Sequence, residues 1–105
     1  MPHNNKTAIG WSVDDIDRMV HEPARYQILS ILYVLEKADF QFIMTHTGLT
    51  KGNLSSHMSK LEDTGYIRIV KDFVGRKPHT MMSITKKGKG AFDNYRKNMK
   101  RILLG

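Results

Sequence analysis

The 105-residue chain contains no cysteine, and this absence removes several classes of function. Disulfide bonds, thiolate metal sites and a cysteine nucleophile are all excluded. No metal site is expected from histidine either, because no ligand spacing such as i, i+4 connects positions 3, 21, 46, 57 and 79. Phosphate-binding loops, dinucleotide-binding turns, zinc-protease motifs and nucleophile elbows are also missing. The sequence therefore predicts a protein that is not an enzyme and uses no cofactor.

Long hydrophobic runs are absent as well. The longest apolar stretch, Ile28–Leu35, is interrupted by Ser30 and is far shorter than the roughly 20 residues that cross a bilayer. Residues 1–7 contain no hydrophobic core of a signal peptide. We therefore expect a cytoplasmic protein with no membrane partner. The length suits one domain, with a flexible lead over residues 1–11 and a single domain over 12–105.

Charge is distributed unevenly along the chain. Residues 1–50 contain four basic and six acidic side chains, whereas residues 51–105 contain thirteen basic and four acidic ones, a net charge of +9. A half-chain this basic repels itself unless an anion is nearby, and nucleic acid is the commonest such partner. An anionic membrane or a merely solubilised surface remains an alternative on charge alone.

Helical spacing and capping residues divide the first half of the chain. Ser12 can cap a short helix over 12–21, whose apolar stripe would be Ile16, Met19 and Val20. Pro23 suits the first turn of a longer helix that ends near residues 36–37. Two further helices follow, from Phe40 to about Thr47 behind Asp39, and from Lys51 to about Thr64 behind Thr50. Gly48 and Gly65 would end them, which makes a helix-turn-helix.

The second half predicts a hairpin and a final helix. The residues from Tyr66 to Val70 are β-formers, Asp72 to His79 would be the turn region, and Thr80 to Thr85 would be the returning strand. Residues 86–104 then carry a helical apolar stripe. The expected fold class is α+β, mainly α with a small β-hairpin. It is a winged helix-turn-helix with a three-helix core, a wing, and flanking N- and C-terminal helices.

The helix after Thr50 has the composition of a DNA-recognition helix. Leu54, Met58 and Leu61 form one narrow apolar edge, and small polar groups occupy the opposite side. Such groups can read base edges, and Gly52 lets the start of the helix approach a phosphate. A face that is only solvated is less expected, because serine and asparagine are poor helix formers. The candidate DNA-binding residues here are Thr50, Lys51, Gly52, Asn53, Ser55, Ser56, His57 and Lys60.

The hairpin adds basic side chains beside this helix. Arg76 and Lys77 would lie at its tip, and Arg68 and Lys71 on its approach. Arginine is favoured in a narrow minor groove, and lysine neutralises phosphate. The alternative is an exposed basic turn without a partner. These four residues complete the candidate DNA-binding set.

These segments together resemble a known family. The residues from His21 to Leu29, the stretch Thr50–Gly65 and the Thr85-Lys86-Lys87-Gly88 motif are similar to the MarR/ArsR-type winged-helix transcriptional regulators of prokaryotes, over roughly residues 12–103. The resemblance implies a nucleoid-associated homodimer that binds pseudo-palindromic double-stranded DNA. Residues 12–36 and 86–104 would form the dimer interface. Metal sensing through thiolates is excluded, and no small-molecule pocket is expected at this length.

Three readings of the function follow, in order of expectation. The first is a sequence-specific transcriptional regulator, most simply a repressor that blocks polymerase. The second is a winged-helix module that binds protein, against which the basic face argues. The third is a non-specific architectural DNA binder, which the polar recognition face disfavours.

Overall fold

The computed structural model describes residues 15–104, which form four helices and one antiparallel sheet. In chain order these elements are α1 (Pro23–Leu35), β1 (Lys37–Asp39), α2 (Phe40–Thr47), α3 (Lys51–Asp63), β2 (Ile67–Val74), β3 (Lys77–Ile84) and α4 (Lys86–Leu104). The strands lie in the order β1-β3-β2. The predicted α+β class and the winged helix-turn-helix arrangement are confirmed.

Local sequence signals account for the starts and ends of the first three helices. The side chains of Glu22, Asp39 and Thr50 each accept a hydrogen bond from the backbone N–H three residues further on. Pro23 occupies the first position of α1, where its missing N–H costs no helical hydrogen bond. Gly48 ends α2 with a φ of 72°, a left-handed conformation that glycine adopts without strain. The predicted boundaries around Pro23, Asp39, Gly48 and Thr50 are confirmed.

One hydrophobic core joins the three helices of the helix-turn-helix to the sheet and α4. Its largest fully buried side chains are Ile28, Leu29, Leu32, Ile43, Leu54, Leu61, Met82 and Val20. Phe92 of α4 is also buried, at 3% exposure, and its ring centroid lies 5.1 Å from that of Tyr33 in α1. The core therefore fixes α3 against α1 and leaves the opposite face of α3 to solvent.

The predicted first helix over 12–21 is wrong in its described part. Residues 12–14 and the lead over 1–11 lie outside the described residues. From residue 15 to residue 22 the backbone forms turns and no α-helix. The carboxylate of Asp17 accepts hydrogen bonds from the backbone N–H groups of Met19 and Val20, at 2.8 and 3.3 Å. Arg25 also donates to the carbonyl of Met19 at 2.8 Å, so these side chains satisfy backbone groups that a helix would have used.

The hairpin is longer and its turn shorter than predicted. The expected turn region from Asp72 to His79 is mostly strand, because Val74 pairs with Lys77 and only residues 75 and 76 connect them. Gly75 has a φ of 64°, which suits the first position of a tight two-residue hairpin turn. The wing is therefore a two-stranded ribbon that ends in Gly75-Arg76, rather than a broad loop.

The sheet also has a third strand that was not predicted. Strand β1 is only three residues long, and it pairs antiparallel with β3 through Lys37 to Ser83 and Asp39 to Met81. Its central residue, Ala38, is buried beside the core. This strand fixes the start of α2 against the base of the wing, which matters for the site described next.

Candidate nucleic-acid interface

Helix α3 has one buried edge and one exposed polar face. Leu54, Met58 and Leu61 lie at helical spacing and are at most 4% exposed. The polar side chains on the other side are exposed and make no hydrogen bond or ion pair within residues 15–104; they are Lys51, Asn53, Ser55, Ser56, Ser59 and Lys60. Their donors and acceptors are therefore available to an external partner.

The start of α3 is open to an approaching anion. Thr50 Oγ1 accepts a hydrogen bond from Asn53 N at 3.2 Å, which leaves the earlier N–H groups of the first turn without a helical partner. Gly52 is exposed, and a Cβ built on it would meet nothing within 4 Å. A phosphate could therefore reach the positive end of this helix closely.

His57 differs from the other predicted residues on α3, because it is half-buried and held by α1. Its Nδ1 lies 3.2 Å from an Nη of Arg25 and 4.0 Å from an Oε of Glu22. A guanidinium can only donate a hydrogen bond, so Nδ1 is the acceptor and the ring proton belongs on Nε2. His57 therefore links α3 to the start of α1, and its Nε2–H group can still donate a hydrogen bond to a partner.

A groove separates α3 from the wing and collects residues from both. We name it the wing groove; its volume is about 470 Å³. Its polar lining includes Lys51, Ser55 and Ser59 from α3 and Lys71 and Thr80 from the two wing strands. The structure therefore brings together Lys51, Ser55 and Lys71 of the predicted set. Ser59 and Thr80 are lining residues that the predicted set did not contain.

The wing beyond this groove is exposed and basic. Every residue of β2 from Val70 onward is exposed, as are Lys77 and Pro78 of β3. Arg76 lies in the two-residue turn and Lys77 directly follows it. Within residues 15–104, neither side chain makes an ion pair. The predicted tip residues Arg76 and Lys77 therefore do lie at the end of the hairpin.

Arg68 does not share the surface that Lys71 occupies. Side chains alternate between the two faces of a strand, so residues 68 and 71 of β2 lie on opposite faces. Arg68 pairs with Ser83, whereas Lys71 pairs with Thr80, which lines the wing groove. Any contact that Arg68 makes with a partner must therefore come from the face of the wing turned away from α3.

A histidine links the wing to the helix-turn-helix. His79 Nδ1 lies 3.0 Å from a carboxylate oxygen of Asp72 on the neighbouring wing strand. On its other side, His79 Nε2 lies 3.6 Å from Asp39, whose second oxygen caps α2. This three-residue chain joins both wing strands to the start of α2. We name it the His79 brace; it connects the wing to the start of α2.

Two further properties of the described residues concern metal ions and membranes. Residues 15–104 contain no group of three or more histidine, aspartate or glutamate side chains that could hold a metal ion. None of the helices among them is long and apolar enough to cross a membrane.

Comparisons with known proteins point the same way. Residues 24–103 match the family model described as a winged helix DNA-binding domain. The chain is 36% identical over 78 residues to an uncharacterised protein of Methanocaldococcus jannaschii, an alignment that spans 74% of this chain and 85% of that one.

Two solved structures are also similar. A transcriptional regulator homologue from Pyrococcus horikoshii superposes with a TM-score of 0.77 at 29% identity, over 83% of this chain and 86% of that one. An ArsR family transcriptional regulator superposes with a TM-score of 0.57 at 18% identity, over 89% of this chain and 91% of that one. The second likeness concerns the fold alone.

Proposed function

Because the chain belongs to the winged helix DNA-binding domain family, we propose that it is a sequence-specific transcriptional regulator of double-stranded DNA. Helix α3 lies in the major groove, and the wing lies in the adjacent minor groove. The protein binds DNA and catalyses no reaction. The observation that carries this proposal is the exposed, unpaired polar face of α3 beside the basic wing groove.

The two kinds of contact divide affinity from specificity. Asn53 can bind adenine through two hydrogen bonds, Ser55 and Ser56 can bind either donors or acceptors, and Lys60 can reach guanine. The basic wing and the start of α3 bind phosphates, which supplies affinity without sequence information. Arg76 at the hairpin turn suits a narrow minor groove. This division predicts strong salt dependence together with sequence preference.

The proposal includes a homodimer that binds an inverted repeat. Between α1 and α4 lies an open groove of about 580 Å³. It is lined by the aromatic and apolar side chains of Tyr26, Tyr95, Met99 and Leu103 and by the charged side chains of Asp93, Arg96, Lys97 and Lys100. Leu103 and Leu104 are 82% and 76% exposed, and a second copy that packed against them would remove this apolar surface from water. In such a dimer the two α3 helices lie about one DNA turn apart, on the order of 34–36 Å.

The regulatory output follows from occupancy of the operator. A bound dimer covers the DNA and blocks polymerase, so we propose repression in the prokaryotic cytoplasm, at the nucleoid. A small-molecule effector is not part of this proposal.

Selection of binding sites from random duplex DNA tests the proposal directly. The purified protein is incubated with the pool at about 150 mM salt, where non-specific binding is weakened, and the retained duplexes are sequenced. An enriched inverted repeat supports a dimeric, sequence-specific regulator. Retention without a motif indicates an architectural binder, and no retention even at low salt indicates a module that binds protein; both outcomes overturn the proposal.

Substitution of Asn53 tests which helix reads the sequence. Asn53→Ala should weaken binding to the selected site by about 1–3 kcal/mol and leave binding to random duplex unchanged. Asn94→Ala is the matched control, since Asn94 is an exposed asparagine of α4. Equal losses on both duplexes would contradict base reading by Asn53.

A further inference from the structure

The outer end of the wing carries two large apolar side chains that its basic character does not explain. Phe73 is 70% exposed and Val74 is 63% exposed, next to the Gly75-Arg76 turn. An exposed phenylalanine at the end of a hairpin costs solubility and adds nothing to a core. Phosphate binding alone would not use an aromatic ring here, and Phe73 offers apolar surface that a partner could bury.

Strand register separates Phe73 from Val74. Phe73 pairs with Pro78, and Val74 pairs with Lys77. Because side chains alternate along each strand, Phe73 and Pro78 share the face of Ile69, Lys71 and Thr80, while Val74 lies on the opposite face. Phe73 and Val74 are thus two neighbouring, similarly exposed apolar residues that differ in which side of the wing they occupy.

The face of Phe73 is continuous with the wing groove. Lys71, Thr80 and Pro78 all line that groove, opposite Lys51 and Ser55 of α3. Phe73 follows Lys71 on the same face, about 6.6–6.8 Å further from the core. A strand of DNA backbone lying in the groove between α3 and the wing would contact Lys51 and Lys71 first. Phe73 and Pro78 would then face the part of the duplex beyond that backbone, on the minor-groove side.

We propose that Phe73 and Pro78 form an apolar contact with the deoxyribose walls of the minor groove, beside Arg76. This inference rests on the proposed function and adds a second kind of contact to it. The walls of a minor groove are sugar rings with little polar surface, and proteins that bind the minor groove frequently place apolar side chains such as Phe and Pro in it. The flanking Arg76 and Lys77 supply the positive charge that makes DNA, rather than an apolar protein surface, the occupant.

An apolar contact with sugars has a distinctive signature. Burial of the ring removes apolar surface from water and releases no counterion, so it raises affinity without changing the salt dependence. Sugars are present in every sequence, so the gain is the same on specific and random duplexes. A phosphate contact instead lowers the salt slope when it is removed, and a base contact changes only specific binding.

The test measures duplex affinity at several salt concentrations for Phe73→Ser, Phe73→Leu and Val74→Ser. A selected operator and a random duplex serve as probes. We expect Phe73→Ser to weaken binding to both duplexes roughly tenfold with an unchanged salt slope. Phe73→Leu, which keeps an apolar side chain, should recover most of the loss. Val74→Ser should stay within about twofold of the wild-type protein.

The outcomes separate this inference from the function on which it rests. If the wild-type protein binds duplex DNA but Phe73→Ser and Val74→Ser have equal effects, the apolar contact is wrong and the proposed function stands. The apolar contact is also wrong, and the proposed function still stands, if Phe73→Ser changes the salt slope. The conclusion is the same if this variant loses self-association without DNA, since the ring then belongs to a protein contact. If the wild-type protein binds no DNA, both proposals fall. Thermal unfolding of each variant confirms that the exposed substitutions leave the fold intact.

Discussion

Gly88, in the first turns of α4, leaves no room for a side chain. A Cβ at this position would lie 2.1 Å from the carbonyl oxygen of Tyr66 and 2.9 Å from its carbonyl carbon. Both atoms belong to the backbone, so a rotamer change cannot relieve the clash. Gly88 therefore lets α4 pack directly on the chain that enters β2, close to the base of the wing.

Replacement of Gly88 by alanine should destabilise the protein by about 2–3 kcal/mol, because overpacking forces α4 or β2 to move. Gly90→Ala is the matched control, since a Cβ there meets nothing within 4 Å. That change should stabilise α4 by about 0.5–1 kcal/mol through helix propensity alone. Chemical denaturation of both variants measures the two effects. Similar stabilities for the two variants would show that the backbone of Tyr66 can move away from position 88 at little energetic cost.

Tyr66 also links distant parts of the chain through its hydroxyl. The hydroxyl donates to a carboxylate oxygen of Asp17 at 2.5 Å, and Asp17 in turn orders the turn before α1. Burial, reinforced by this hydrogen bond and by the nearby charge, raises the pKa of Tyr66 from 10.0 to about 12. The folded protein thus holds the phenolic proton more tightly than the unfolded chain does.

This pKa shift predicts a loss of stability at high pH. The contribution of neutral Tyr66 is fully present below pH 10 and is lost as the pH rises from 10 to about 12, because the unfolded chain gives up the proton first. Tyr66→Phe cannot ionise and lacks the hydrogen bond, so it should be about 2 kcal/mol less stable below pH 10. The difference in stability between the two proteins should disappear toward pH 12. Parallel stability curves for the two proteins between pH 8 and about 12 would refute this account.

Among the helices and strands, the sequence correctly predicted those boundaries that local sequence signals determine. Asp39, Gly48 and Thr50 mark helix ends through hydrogen bonds and backbone angles that involve only their neighbours, and those ends were predicted correctly. Strand β1 could not be predicted, because its three residues become a strand only by pairing with Ser83, Met82 and Met81. The polar face of α3 was readable from helical spacing. The wing groove was not, because it depends on the register of β2 and β3.

The segment before α1 shows how a local signal can mislead. Ile16, Met19 and Val20 have helical spacing, and Val20 is indeed buried in the core. The carboxylate of Asp17, however, binds two backbone N–H groups and Tyr66, which fixes a turn instead. The local sequence does not reveal the hydrogen bond from Tyr66, which reaches Asp17 from far along the chain.

The His79 brace gives a prediction for the wing as an element. His79→Ala removes the links to Asp72 and Asp39 but leaves Asp39 able to cap α2. The outer part of the wing should then open more often, with amide exchange in the distal halves of β2 and β3 about fivefold faster and in α3 unchanged. His46→Ala is the control, since the ring of His46 contacts only its own helix through Phe42. Unchanged exchange in the wing would mean that the ribbon holds its position without the brace.

At the scale of the molecule, two exposed surfaces differ in composition. The wing and the start of α3 are polar and basic, whereas the groove between α1 and α4 combines aromatic and aliphatic side chains with the charged side chains of Asp93, Arg96, Lys97 and Lys100. Phe92 and Tyr95 contact Tyr26 at this groove in tilted arrangements, with ring centroids 5.3 and 5.6 Å from that of Tyr26. Aromatic and aliphatic side chains together with charged groups match the composition of a protein interface, whose apolar centre is surrounded by polar residues. The proposed dimer therefore places its interface on α1 and α4 and leaves the DNA-binding features free.

Leu103→Glu tests that assembly without disturbing the fold. Leu103 is 82% exposed in the single copy, so a charge there costs the monomer little, but two buried carboxylates at a dimer interface would repel each other. We expect the variant to sediment as a monomer and to lose its preference for an inverted repeat over a single half-site. Val74→Glu places the same charge at a 63% exposed position of the wing and should still sediment as a dimer. A Leu103→Glu protein that remains dimeric would move the interface away from the end of α4, and each α3 helix would then have to reach its half-site from a different arrangement of the two copies.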